Sequence, residues 1–209
     1  MLVVDIETTG RDPSKHSIAS IGALELISAG DHFEIGREFY QECRIWKKAE
    51  VVSTALEVNG FTESQLRDPS KPSLQRTIRH FITYAQSCQD QIFAGSNMGS
   101  FDALFLQASA QRYEIVWPFG NSGYRTVELH TSGVEHHLRR GLPIPLKEGL
   151  SALSTDAIFE YVGLLPEPKP HHALTGAKME AEAFSRLIYG KNVLPEYAGV
   201  DVTGFLGTR

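Results

Sequence analysis

The apolar positions of this chain fall into blocks of two different periods, and each period predicts its own kind of element. Val3, Val4 and Ile6 make a short strand that carries Asp5 and Glu7 and runs into Thr8, Thr9 and Gly10. Residues 17–27 alternate in part and read as a second strand, a turn follows at 28–31, and a third strand is expected from about 32 to 40. These three form an antiparallel meander. Short helical pieces are expected at 52–58 and 63–66, and the stripe of Leu74, Ile78, Phe81, Ile82 and Ala85 predicts an amphipathic helix over 73–88. The apolar piece 92–94 reads as a fourth strand ending at Gly95, Ser96 and Asn97, a helix follows from about 100 to 111, and a further strand is expected near 124–127. Residues 132–147, with Arg139, Arg140, Gly141, Pro143 and Pro145, read as an irregular, mobile loop. Helices over 150–162 and 173–189 close the pattern. Mixed strands with helices on both faces make an α/β or α+β sandwich.

At 209 residues and 42% hydrophobic content the chain can bury one sizeable core, so a single domain is expected over 1–190, with 191–209 as a C-terminal extension carrying Pro195, Tyr197 and Phe205. No apolar run approaches the roughly 20 residues that span a bilayer, and Met1 leads directly into a strand, so a cytoplasmic protein without a membrane partner is expected. Cys43 and Cys88 are too few and too far apart for a disulfide framework or a zinc site and read as buried or neutral thiols. The formal charge of −5 argues against holding duplex nucleic acid by charge alone. It leaves a nucleic acid substrate open, because a site built from carboxylates is acidic by construction and bound cations reverse its sign where phosphate approaches.

Asp5 and Glu7 lie two residues apart in a strand, so both side chains leave the same face and converge. Two acids that close repel unless a cation lies between them, and a hard divalent ion with oxygen ligands suits that place. The alternative for this pair alone is a solvated strand end. Asp102 falls in the first turn of a predicted helix, where the helix dipole favours a carboxylate whatever its role. His171 and His172 open the last helix, where a histidine pair also serves as an exposed cap.

In this order the three segments resemble the DnaQ-like 3′–5′ exonucleases, the DEDDh branch of the ribonuclease H-like superfamily. VVDIETTG matches the first motif and SNMGSFDALFL the second, while residues 55–62, ALEVNGFT, are similar to the stretch A-x-x-V-H-G-I-T, and 124–129 resemble the strand and helix start before the family's active-site loop. The resemblance covers nearly the whole chain. It implies a ribonuclease H-like α/β fold with a mixed five-stranded sheet and helices on both faces. It also implies two Mg²⁺ or Mn²⁺ ions held by Asp5, Glu7, Asp102 and a fourth acid, and His171 as the general base, a task that suits an imidazole. The implied activity releases nucleoside 5′-monophosphates from single-stranded 3′ ends of DNA or RNA. Thr8, Thr9 and Gly10 would meet the terminal nucleotide, and Phe61 and Phe101 would stack on bases, with core packing as the alternative for each. Arg139, Arg140 and Lys147 are candidates for phosphate contact, with ordinary surface charge as the alternative. A polymerase or a second copy of the chain is a possible partner.

The third motif departs from the family form H-x-A-L-x-D-A. Aligning Ala173, Leu174 and Ala177 places His171 at the base and Gly176 where the acid should stand. Loss of an anionic ligand weakens divalent binding, and misplacing a reactant costs about 100-fold in rate, so impaired activity is expected. Three explanations stay open: a site that only binds nucleic acid or a nucleotide, a site that recruits another acid, or a sequence whose parent carries Asp. Glu180, one helical turn beyond Gly176, is a candidate recruit, although its neighbour Lys178 favours reading it as a solvated glutamate. Restoring the acid by Gly176→Asp is expected to raise activity by about tenfold or more.

Overall fold

Alternation along the strand Leu2–Thr8 (β1) divides the molecule. The computed structural model describes residues 1–120 and 125–202. β1 pairs antiparallel with Ile18–Ser28 (β2), which pairs antiparallel with Phe33–Glu42 (β3). On its other side β1 runs parallel to Phe93–Gly95 (β4), and β4 runs parallel to Val127–Glu128 (β5), giving the sheet order β3-β2-β1-β4-β5. The helices are α1 (Ser53–Asn59), α2 (Glu63–Leu66), α3 (Leu74–Ser87), α4 (Asp102–Arg112), α5 (Leu129–Arg139), α6 (Thr155–Tyr161) and α7 (Ala173–Tyr189). This is the mixed five-stranded α/β architecture expected from the sequence.

Leu2, Val4 and Ile6 share one face of β1 and pack with Ile21 and Ala23 of β2 against α3 and α4. Val3 faces the opposite way, into a core formed with Leu24, Leu26 and the buried positions of α5, α6 and α7. By the period of two, Asp5 and Glu7 lie on this second face, towards α7. Leu194 and Val202, beyond α7, are buried in the same core, and the Val193 and Leu194 N–H groups donate to Glu182 Oε2. Phe205 and Tyr124 lie outside the described residues.

Two expectations fail. Much of the segment read as a mobile loop is helix α5, whose buried positions Leu129, Gly133 and His137 fall at i, i+4 and i+8. That stripe is real, but glycine and histidine hide it from a search for apolar residues. Gly133 admits Ile158, whose Cδ1 would lie 3.2 Å from a Cβ there, and the His137 ring packs 4.1 Å from that of Tyr161. The helix expected from residue 150 starts only at Thr155, capped by Ser154, whose side chain accepts the Ala157 N–H. Leu150–Ser151 instead pairs as strand β7 with Leu146–Lys147 (β6). Positive φ angles at Glu148 and Gly149 form the tight turn between them.

Candidate active site

Two glycines set the position of the first turn of α7. A Cβ at Gly22 of β2 would lie 2.2 Å from the Ala173 carbonyl carbon, so only glycine lets the helix start this close to the sheet. Gly60 ends α1 in the left-handed region at φ 72°, and a Cβ there would meet Pro170 at 2.6 Å. The chain before α7 therefore leans on α1, and the His171 N–H donates to Val58 O at 2.9 Å. His171 is half-buried beside the acids of β1, whereas His172 is exposed and stacks on Tyr40 with ring centroids 4.2 Å apart.

Asp102 arrives from the other side. The Glu128 carboxylate accepts the Met98 N–H at 3.1 Å and the Gly99 N–H at 2.9 Å, pinning the loop that leads into α4. Asp102 Oδ1 then accepts the Ile6 N–H at 3.1 Å, between the two acids of β1. The result is a cleft of about 360 Å³ whose lining includes Asp5, Phe101, Asp102, Glu167, His171 and Glu180.

Burial, then the Glu167 charge, pushes Asp5 up to about 7. Burial, followed by Asp5 and Glu167, pushes Glu7 up to about 9. Asp102 and Glu180 are raised well above the carboxylate range, by burial first and by Asp5 next. Glu167 is raised by burial against the opposing pull of His171. So many acids in one cleft keep protons at neutral pH unless positive charge replaces them.

The RNase_T exonuclease family matches residues 2–184. The chain belongs to the DnaQ-like exonucleases. It is 25% identical over 187 residues to a PolC-type DNA polymerase III of Thermotoga maritima, covering 90% of this chain but 12% of the polymerase. E. coli exonuclease I in complex with a dT13 oligonucleotide superposes with a TM-score of 0.68 at 17% identity, over 90% of this chain and 41% of the other. A 3′-exonuclease in 3′-end specific recognition of a histone mRNA stem-loop superposes with a TM-score of 0.66 at 16% identity, over 92% of this chain and 64% of that one. The chain thus spans about an eighth of the polymerase and two fifths of exonuclease I.

Within this exonuclease fold the donors fit hard divalent cations. Glu7, Glu167 and His171 each offer a ligand atom within 4.8 Å of one another. Glu180 is only 4% exposed, and its Oε2 has no hydrogen-bond partner among the described residues. Glu180 is therefore not the solvated glutamate read from the sequence: α7 turns it into the cleft, where its Oε1 accepts the Ser96 N–H at 3.2 Å. Lys178 points elsewhere and pairs with Glu38 at 2.9 Å.

Sequence reasoning missed Glu167 entirely. The available signal was a lone acid between Pro166 and Pro168, four residues before His171. Gly176 lines the cleft as aligned, but the space above it is taken, because a Cβ there would lie 2.2 Å from Asp5 Oδ2 and 3.3 Å from Glu167 Oε1.

The expected substrate contacts divide. Phe101 lines the cleft, while packing on Phe105 with ring centroids 5.0 Å apart. Thr8 and Thr9 are buried, and their hydroxyls donate to Gly10 O and Glu50 O. A Cβ at Gly10 would meet the His16 ring at 2.4 Å. Phe61 packs with Ala19, Ile45 and Leu66 under Lys71, away from the cleft lining. Arg139 pairs with Glu135 at 2.7 Å on α5, and Lys147 lies in the exposed β6–β7 hairpin. No helix among the described residues is long and apolar enough to cross a membrane.

Proposed function

We propose that this chain is a divalent-metal-dependent 3′–5′ exonuclease that releases nucleoside 5′-monophosphates from single-stranded nucleic acid ends. The observation that carries this reading is the convergence of Asp5 and Asp102, from a strand and a distant helix, on one cleft with His171, where Glu7 offers a ligand atom within 4.8 Å of Glu167 and His171. Bound Mg²⁺ or Mn²⁺ ions would offset the carboxylate charge and supply Lewis-acid activation of the scissile phosphodiester. Asp5, Glu7 and Asp102 would hold them. His171 Nδ1 faces Glu167 Oε2 at 3.4 Å, which leaves Nε2 to take the proton of the attacking water. Phe101, at the cleft wall, offers a ring face to the terminal base. Gly176 lowers activity only as far as no other acid stands in for the missing one.

The similarity to exonuclease I bound to an oligonucleotide and to a 3′-exonuclease acting in RNA recognition supports a substrate with a free 3′ end. The test is a 5′-labelled single-stranded oligonucleotide incubated with Mn²⁺. Stepwise shortening with mononucleotide release, stopped by a chelator and reduced at least about 1,000-fold by Asp5→Asn, is expected. Binding without shortening would instead establish a nucleic acid binding module that has lost the chemistry.

A further inference from the structure

We propose that Glu167, on the loop before α7, supplies the fourth carboxylate of the cation site in place of the acid that Gly176 lacks. The inference rests on the exonuclease reading above and concerns which residues of this chain complete the site.

A side chain at 176 would leave its Cβ 3.3 Å from Glu167 Oε1, so the Glu167 carboxylate borders the volume an acid at 176 would enter. Its other oxygen lies 3.4 Å from His171 Nδ1, and the side chain is only 11% exposed. Glu7, Glu167 and His171 each offer a ligand atom within 4.8 Å of one another. The fourth acid has thus moved from the helix to the segment that precedes it.

Glu167 lies in the run Pro166, Glu167, Pro168, Lys169, Pro170. Each proline fixes its own φ and restricts the residue before it, so the loop loses little freedom when Glu167 is held in one place. A solvated surface acid has no need of such a mount.

An independent sign that a cation belongs here comes from Glu180 on α7. Glu180 Oε2 is buried with no donor among the described residues, in the cleft that Asp5 and Asp102 also line. A buried carboxyl oxygen without a partner is costly, and a cation that Asp5, Asp102 and Glu180 would hold together would remove that cost.

A rival role for Glu167 is to orient His171 through Nδ1 alone, which would change the pH dependence of cleavage and leave metal affinity untouched. Calorimetric titration of the full chain with Mn²⁺ separates the two. Glu167→Gln should weaken Mn²⁺ binding by about tenfold or more, and Glu167→Asp, which keeps the charge and shortens the reach, should fall between it and wild type. Asp156→Asn removes the same charge from the same cleft and should change affinity less than about threefold. Wild-type affinity in Glu167→Gln, or an equal loss in Asp156→Asn, would overturn the assignment of Glu167 alone. A wild-type chain that binds no Mn²⁺ would overturn the metal-dependent reading with it. Metal-free thermal melts of each variant, matching wild type within a few degrees, tie any loss to ligation rather than to unfolding.

Discussion

At position 176 the absent side chain is no hole waiting to be filled. The nearest atom to a Cβ there is Asp5 Oδ2 at 2.2 Å, and the next is the Asp5 carboxyl carbon at 3.0 Å. A contact under 3 Å forces something to move, and here it is the carboxylate at the centre of the cluster. Gly176→Asp would also add negative charge beside Asp5 and Glu167, both already raised by burial and, for Asp5, by Glu167 itself. The tenfold gain expected from the motif alone is therefore replaced by the opposite expectation. Gly176→Asp should lower metal-dependent cleavage by about tenfold, because displacing a positioned ligand is expensive in rate. Gly176→Ala, which brings the Cβ without the charge, should account for much of that loss. Single-turnover cleavage of a labelled oligonucleotide measures both, and a gain for Gly176→Asp would mean that Asp5 swings aside freely and that the vacancy at 176 limits the wild-type enzyme.

At the scale of elements, the sequence pattern was most legible where polar and apolar residues sort by face. The meander β1–β2–β3 and the helix α3 follow from alternation and from a clean stripe, and α7 begins and ends where its pattern does. The face of Asp5 and Glu7 was equally legible, because a period of two fixes it locally. Burial on α7 was not. Its polar residues Glu180, Glu182, Ser185 and Arg186 are all buried, since the helix lies between the sheet and the layer formed by α5, α6 and the segment after Tyr189. Glu182 and Arg186 pair at 2.8 Å, while Glu180 opens into the cleft, and no rule that assigns polar residues to solvent separates these cases. Glu167 was illegible for a related reason: its nearness to Gly176 depends on how closely α7 docks on β2. That docking rests on Gly22, where a Cβ would meet backbone atoms of Ala173 and Leu174 at 2.2 Å. Backbone cannot turn aside as a side chain can. Gly22→Ala should cost about 2–3 kcal/mol of stability, read as a lower urea midpoint, and should lower cleavage as the first turn of α7 is lifted from Asp5. Wild-type stability in this variant would show that the helix start is free to shift.

For the whole molecule, the cluster couples folding, protons and cations. Asp5, ordinarily near 3.8, is pushed up to about 7, and Glu7, ordinarily near 4.5, to about 9, chiefly by burial. Between about pH 4 and about pH 9 the folded, metal-free chain therefore holds protons that the unfolded chain has released. When the folded state binds more protons, the unfolding free energy falls as pH rises. Stability from these groups is fully present below the unfolded values and is lost as pH climbs through the folded ones. The opposing acids act elsewhere: Asp12, Asp31 and Asp68 are held below their ordinary values by hydrogen bonds from Ser14, Lys191 and Ser70, so their contribution changes only below about pH 4. Metal-free protein should accordingly melt several degrees higher at about pH 5.5 than at about pH 8.5, given that 1 kcal/mol moves the midpoint by about 2–4 °C at this size. Divalent cations displace the same protons, so saturating Mg²⁺ should raise the midpoint more at the higher pH and shrink the difference. Calorimetric scans at both values, with chelator and with Mg²⁺, measure all four midpoints. A chelated midpoint that is level or rises between the two pH values would mean that the cleft does not burden the fold with its charge. A Mg²⁺ effect no larger at the higher pH would mean that protons and cations do not compete for one site.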